Sequence, residues 1–197
     1  DPTNRKIIQA GLDTVVAEPC FPIIVAHGHV KNLHEKDVDY ILMPNILSLP
    51  TEWTDTLGHL CPWHQTLPFV CRRAPQLEPI ADKFLTPHVV FRDGPSRVKR
   101  ELASLFKTLG VSRRTVSSAV SRAYQAQEAF NERRLVAGRK AMEDLDRAGA
   151  TGIVLVGRPY NIHDRGICLS VAQKLREHYG VNCIPMDFLE TEPIDIR

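Results

Sequence analysis

The sequence predicts an α/β protein in which parallel-sheet βαβ units flank a helical segment. Three observations carry this. Short β-branched or apolar runs alternate with helical stretches across short links, the pattern of βαβ units and parallel strands. The run VDYILMP (Val38–Pro44) is apolar but for Asp39 before its proline, and reads as a strand buried on both faces. Between Ser96 and Gly149 the apolar period changes to three and four residues, the mark of amphipathic helices.

Asn4 to Gly11 reads as the end of a helix, with Gly11 as its terminating glycine. LDTVVA (Leu12–Ala17) reads as a β-branched strand and EPCFP as a turn. Pro22 suits a first helical turn, where its missing N–H costs nothing, so a helix should run to about Glu35. Val38–Pro44 follows as a parallel strand, and Asn45–Leu60 as an irregular connection. Cys61–Ala74 holds a short helix, and His88–Phe91 a short strand.

Val98, Leu102, Leu105 and Leu109 form one helical face, stopped at Gly110. Ser112 can cap the next helix, which runs from Val116 through Val120, Ala123, Gln127, Phe130, Leu135 and Met142 to about Arg147. Gly138 marks a weak point in it. Ile153–Val156 reads as a buried strand, Gly166–Gly180 as a helix and VNCIPMDFL as the next strand. The expected division is 1–95 for a first α/β domain incomplete at its start, 96–150 for a helical spacer and 151–197 for the opening of a second. The units are of flavodoxin/Rossmann-like type. With no initial Met, and a polar end after the last strand, the chain reads as a fragment of a larger two-domain subunit.

Composition narrows the function classes. The chain has 197 residues, 43% of them hydrophobic, and 25 basic against 23 acidic residues. The near-balance offers nucleic acid no whole-chain attraction. No apolar run approaches the ~18 residues of a membrane-spanning helix, and the N-terminus lacks a signal-peptide pattern. A cytoplasmic location is expected. The 5 cysteines at irregular spacing fit free thiols, metal ligands or catalytic groups better than a disulfide framework.

Ligands of open α/β sheets bind at the carboxyl ends of strands. Two turns fall there. Cys20 follows the first expected strand and starts a helix, and a helix N-terminus stabilises the thiolate that binds metal or attacks electrophiles. The turn Arg158-Pro-Tyr160-Asn161 follows Ile153–Val156. Zinc on Cys20, His27 and His29 fails on geometry: residues two apart on a helix point about 200° apart. Gly28 between them predicts a close packing contact. No C-x2-C pair supports structural zinc.

Cys20 and Cys61 share a proline-flanked turn before a helix. Two such thiolates could converge on an iron–sulfur cluster, which needs about four ligands. On the residues alone inert buried thiols are the favoured reading for this pair, as they are for Cys71, Cys168 and Cys183. Arg158 suits either an anion or a structural ion pair, with Asp187 as the acid on the next crevice edge. No dinucleotide or P-loop fingerprint is present.

The stretches DPTNRKIIQAG…VVAEPCFPIIVAHGHVKNL…VDYILMPNI, CPWHQTLPF, AQEAF and IVLVGRPYNIHDRG…IPMDFL together resemble the acyl-CoA dehydratase activase-related domain. That domain belongs to large CoA-substrate-specific enzyme activases, relatives of the iron–sulfur subunits of 2-hydroxyacyl-CoA dehydratases and benzoyl-CoA-type reductases. The resemblance implies a cubane (4Fe–4S) cluster on Cys20 and Cys61, its ligand set completed beyond Arg197. It implies ATP-hydrolysing activase domains, in the same polypeptide or a partner, that donate a low-potential electron in anaerobic metabolism of CoA thioesters. His27, His29 and Gln65 would support the cluster, and Arg158, Tyr160 and Asn161 would line the interdomain crevice. The chain departs from the family's pattern at Ile24, where lysine is usual, and at Cys168, where asparagine is; Cys168 is therefore not an expected ligand. The fragment alone is expected to be inactive. The alternatives are a non-catalytic or regulatory domain without a working cluster, and a CoA- or nucleotide-binding enzyme using Arg158 without metal.

Overall fold

The structure is a computed structural model that describes residues 1–51 and 58–190. The polar end 191–197 and part of the 45–60 connection lie outside the described residues. Two compact units divide at Tyr124/Gln125. Helix and short parallel strand pairs alternate, with helix predominating.

The first unit opens with helix α1, Arg5–Thr14, capped by the Asn4 side chain, which accepts from the Ile7 N–H at 3.1 Å. The expected strand Leu12–Ala17 is not formed. Ile7, Gly11 and Thr14 are buried at helical spacing against α2, Phe21–Glu35. The Thr14 hydroxyl donates back to the Ala10 carbonyl at 2.6 Å. Gly11 does not end the helix. It lies where a Cβ would overlap the Ile24 carbonyl, and Gly28 of α2 lies where one would overlap the Ile7 carbonyl. Two glycines thus let two helix backbones touch, as the sequence suggested for Gly28.

The βαβ unit exists, but it is displaced along the chain. Strands β1 (Ile41–Leu42) and β2 (Asn45–Ser48) pair in parallel with β3 (Phe84–Leu85) and β4 (His88–Val90). The crossover helix is α3, Pro62–Arg73, not α2. Ile41 faces Phe84 and Asn45 faces His88, so Pro44 and Pro87 stand opposite each other. Neither proline can donate to the ladder, and each strand breaks there. The Met43 and Asn45 N–H groups still reach the Leu85 and Pro87 carbonyls at 2.9 and 2.8 Å. Of the expected strand Val38–Pro44 only Ile41–Leu42 is formed, and a second strand, Asn45–Ser48, lies inside the expected loop.

One core joins Val30, Ile41, Cys71, Leu77, Ile80 and Phe84. A second joins Val89 to Val98 of α4 (Gly94–Lys107) and to Val116 and Val120 of α5 (Arg113–Ala148). Burying each of these aliphatic side chains contributes about 1.5–3 kcal/mol. The caps follow the sequence: Ser112 Oγ accepts from the Thr115 N–H at 3.1 Å, and Gly110, with φ 75°, ends α4.

In the second unit α5 continues unbroken through Gly138. That glycine is no weak point; it is buried where a Cβ would meet the Phe188 carbonyl. Strand β5 (Gly152–Leu155) pairs in parallel with β6 (Asn182–Pro185), as expected. Between them lie the single turn α6, Pro159–His163, and α7, Val171–Tyr179. α7 starts later than Gly166, because Leu169 and Ser170 take left-handed conformations with φ 52° and 54°. Ile153 and Val154 are 39% and 45% exposed, so β5 is not covered on both faces in this unit. Among the described residues no helix is long and apolar enough to cross a membrane.

Candidate functional site

Cys20 is the N-cap of α2 and Cys61 the N-cap of α3, and the two helices are in contact. Their backbones match: φ −62° and ψ 151° at Cys20, φ −62° and ψ 152° at Cys61. Proline follows in the first turn of each helix. Each carbonyl accepts the first helical bonds, from Ile23 and Ile24 at 2.9 and 3.3 Å, and from His64 and Gln65 at 3.0 and 3.1 Å. Neither thiol caps its own helix. Cys20 is exposed and Cys61 half-buried. Each sulfur thus sits beside the positive end of a helix dipole, with its bonding capacity available. Cys20 does not follow a strand; a bend after α1 delivers it.

Backbone bonds fix the approach to Cys61. The Leu60 N–H donates to the Leu47 carbonyl of β2 at 3.1 Å, and the Gln65 side chain donates to the Leu60 carbonyl at 2.6 Å. Gln65 therefore holds the turn that presents Cys61. Gln76, just past α3, donates to the Asp13 carbonyl at 2.6 Å and ties that segment to α1.

The histidines diverge as helix geometry predicts. His27 is fully buried. Its Nδ1 bonds the Ile23 carbonyl at 2.8 Å, and its Nε2 has no partner among the described residues. Burial holds its pKa below the usual imidazole value, against the opposing effect of the Ile23 bond. His29 turns the other way, its Nε2 2.9 Å from the Thr3 hydroxyl. Among the described residues no three His, Cys, Asp or Glu side chains converge as a metal site. Two cysteinyl ligands fit half of a cluster's usual set. Cys71 is fully buried in the first core, and desolvation pushes its thiol up to about 12.

In the second unit Arg158 caps α6 and donates to the Tyr160 hydroxyl at 2.8 Å. The Asn161 N–H closes the turn on the Arg158 carbonyl at 2.8 Å. Asp187 binds other groups: Arg134 of α5 at 3.1 Å and His163 at 3.1 Å. Arg134 and His163 escaped the sequence reading. Their link to Asp187 spans 53 and 24 residues, and no local pattern announces it. Cys168 lies in the turn before α7 and not on its face, and Cys183 lies in β6; both are half-buried.

Fold and site together define a helix-rich α/β protein that presents matched cysteines at two helix starts. The family model described as CoA enzyme activase uncharacterised domain (DUF2229) matches residues 1–189, and the chain belongs to that family. No curated protein and no solved structure matches it.

Proposed function

We propose that this CoA enzyme activase domain is an iron–sulfur electron-transfer module of an ATP-driven reductase or 2-hydroxyacyl-CoA dehydratase activase system. The observation that carries the reading is the matched pair of N-cap cysteines, Cys20 and Cys61, at the starts of two touching helices. Both sulfurs lie at helix starts, and both are left uncommitted by their own helices. A bound 4Fe–4S cluster would supply one-electron chemistry at low potential. The chain's part is to hold two cysteinyl ligands on rigid helices, with Gln65 fixing the Cys61 turn and His27 and His29 bracing α2. Remaining ligands, and the ATP-hydrolysing domains that deliver the electron, come from the same polypeptide or a partner, and a CoA thioester is the substrate class. The short parallel strand pairs are read as parts of flavodoxin/Rossmann-like domains of a larger subunit, with Arg158, Tyr160 and Asn161 on a crevice edge. The setting is cytoplasmic.

The test is iron and acid-labile sulfide content of the polypeptide containing this chain, purified without oxygen. Cys20→Ala and Cys61→Ala should each lower both, while Cys183→Ala should not. An iron-free wild type would favour the alternative, a regulatory domain that keeps the fold without a cluster.

A further inference from the structure

A second concave site lies wholly in the second unit, at the carboxyl ends of β5 and β6. It is a cleft of about 200 Å³ whose lining includes Leu155, Ile162, Pro185, Arg165, Cys168 and Cys183. None of the residues singled out in the sequence as crevice groups lines it. The position is where ligands of parallel sheets bind, and the lining is mostly apolar with a few polar groups, as small-molecule sites are.

Two observations define the ligand. The first is charge. Among the described residues the Arg165 side chain has neither an ion-pair nor a hydrogen-bond partner, although it borders an apolar cleft. The nearby acid Asp187 is already met by Arg134 and by His163. Arg165 is exposed at the edge of the cleft, so water solvates its charge until an anion enters, and a guanidinium matches a carboxylate in a two-pronged bond. The second is size. A cavity of about 150 Å³ holds a molecule such as benzene, so the cleft itself takes a hydrocarbon body only slightly larger. The structure assigns the cleft to a short-chain organic carboxylate, its acid group on Arg165 and its hydrocarbon body against Leu155, Ile162 and Pro185. The assignment is independent of the cluster reading.

The two cleft thiols are built-in reporters, since both are half-buried. The intact chain is alkylated with N-ethylmaleimide in the presence of butyrate, and each cysteine is followed by peptide mass mapping. Butyrate is expected to slow Cys168 and Cys183 saturably, about tenfold at ten times its Kd, and to leave Cys20 and Cys61 unchanged. Butyramide, which has the shape without the charge, should not protect. Arg165→Gln should weaken protection about tenfold or more, and Arg165→Lys should retain part of it. The proposal is overturned if butyrate never protects, if butyramide or inorganic phosphate protects equally, or if all four thiols slow together. The amide comparison uses the unaltered protein, so it decides even if the Arg165 variants misfold.

Discussion

Cys20 and Cys61 stand at the N-caps of α2 and α3 with the same backbone conformation, and each is followed by a proline in the first helical turn. An N-cap position normally goes to Ser, Thr, Asp or Asn, whose oxygen accepts a helical N–H. Cysteine is a poor substitute in that role, and neither thiol performs it. Both positions give up a capping bond worth about 1 kcal/mol while presenting sulfur at a helix end. That repeated cost supports a demand for the thiol itself.

The crossing of α1 and α2 makes a sign test. Alanine is a better helix former than glycine by about 1 kcal/mol, so propensity alone would have Gly28→Ala stabilise. A Cβ at Gly28 overlaps the Ile7 carbonyl, which is backbone and cannot swing aside. Overpacking should win, with a net loss of about 1–3 kcal/mol in denaturant titration. The same holds for Gly11→Ala.

Stability of the first unit should fall in mild acid through His27. Its folded pKa lies below 6.5, so between the two values the unfolded chain binds more protons. Stability is then complete above about pH 6.5 and declines as pH drops toward the folded pKa, by at most about 1.4 kcal/mol per pH unit. His27→Gln removes that titration. Denaturation followed from pH 7.5 down to pH 5 should show a shallower slope for the variant by about that amount.

Thiol chemistry should separate the cysteines. With its thiol near 12 and no exposure, Cys71 should resist alkylation at pH 8 until the unit unfolds. Cys20, exposed at its helix start, should be labelled first. Mass mapping of a labelling time course checks the order.

Asp187→Asn should loosen the second unit. Asp187 answers both Arg134 and His163, with only 16% of its side chain exposed. Loss of its charge should cost about 1–3 kcal/mol. Hydrogen exchange should quicken at Met186–Phe188 and in α6, while amides of α1 and α2 stay unchanged.

Local chemistry made part of this fold legible. The span of α5, the Ser112 cap and the glycine stops at Gly110 and Gly180 rest on signals contained within a few residues. Pairing was less readable. The Pro44–Pro87 opposition depends on a register between distant segments, so Asn45–Ser48 reads locally as a loop. Thr14, Val15 and Val16 have strand propensity, yet Thr14 is helical because Gly11 must lie flat on α2. Gly11 itself shows the ambiguity: a glycine may end a helix or admit a neighbour, and only the neighbour decides. In the site, Cys20 and Cys61 were found because Cys before a first-turn proline is a local pattern. Arg134, His163 and the Arg165 cleft were not, because folding alone brings them together.

The most direct measurement is the EPR spectrum of the cluster-bearing polypeptide, purified without oxygen and reduced at low potential. Wild type and Cys183→Ala are predicted to show the same iron–sulfur signal, with Cys20→Ala and Cys61→Ala each losing or altering it. An unchanged signal in both of those variants would contradict the assignment of Cys20 and Cys61 as cluster ligands.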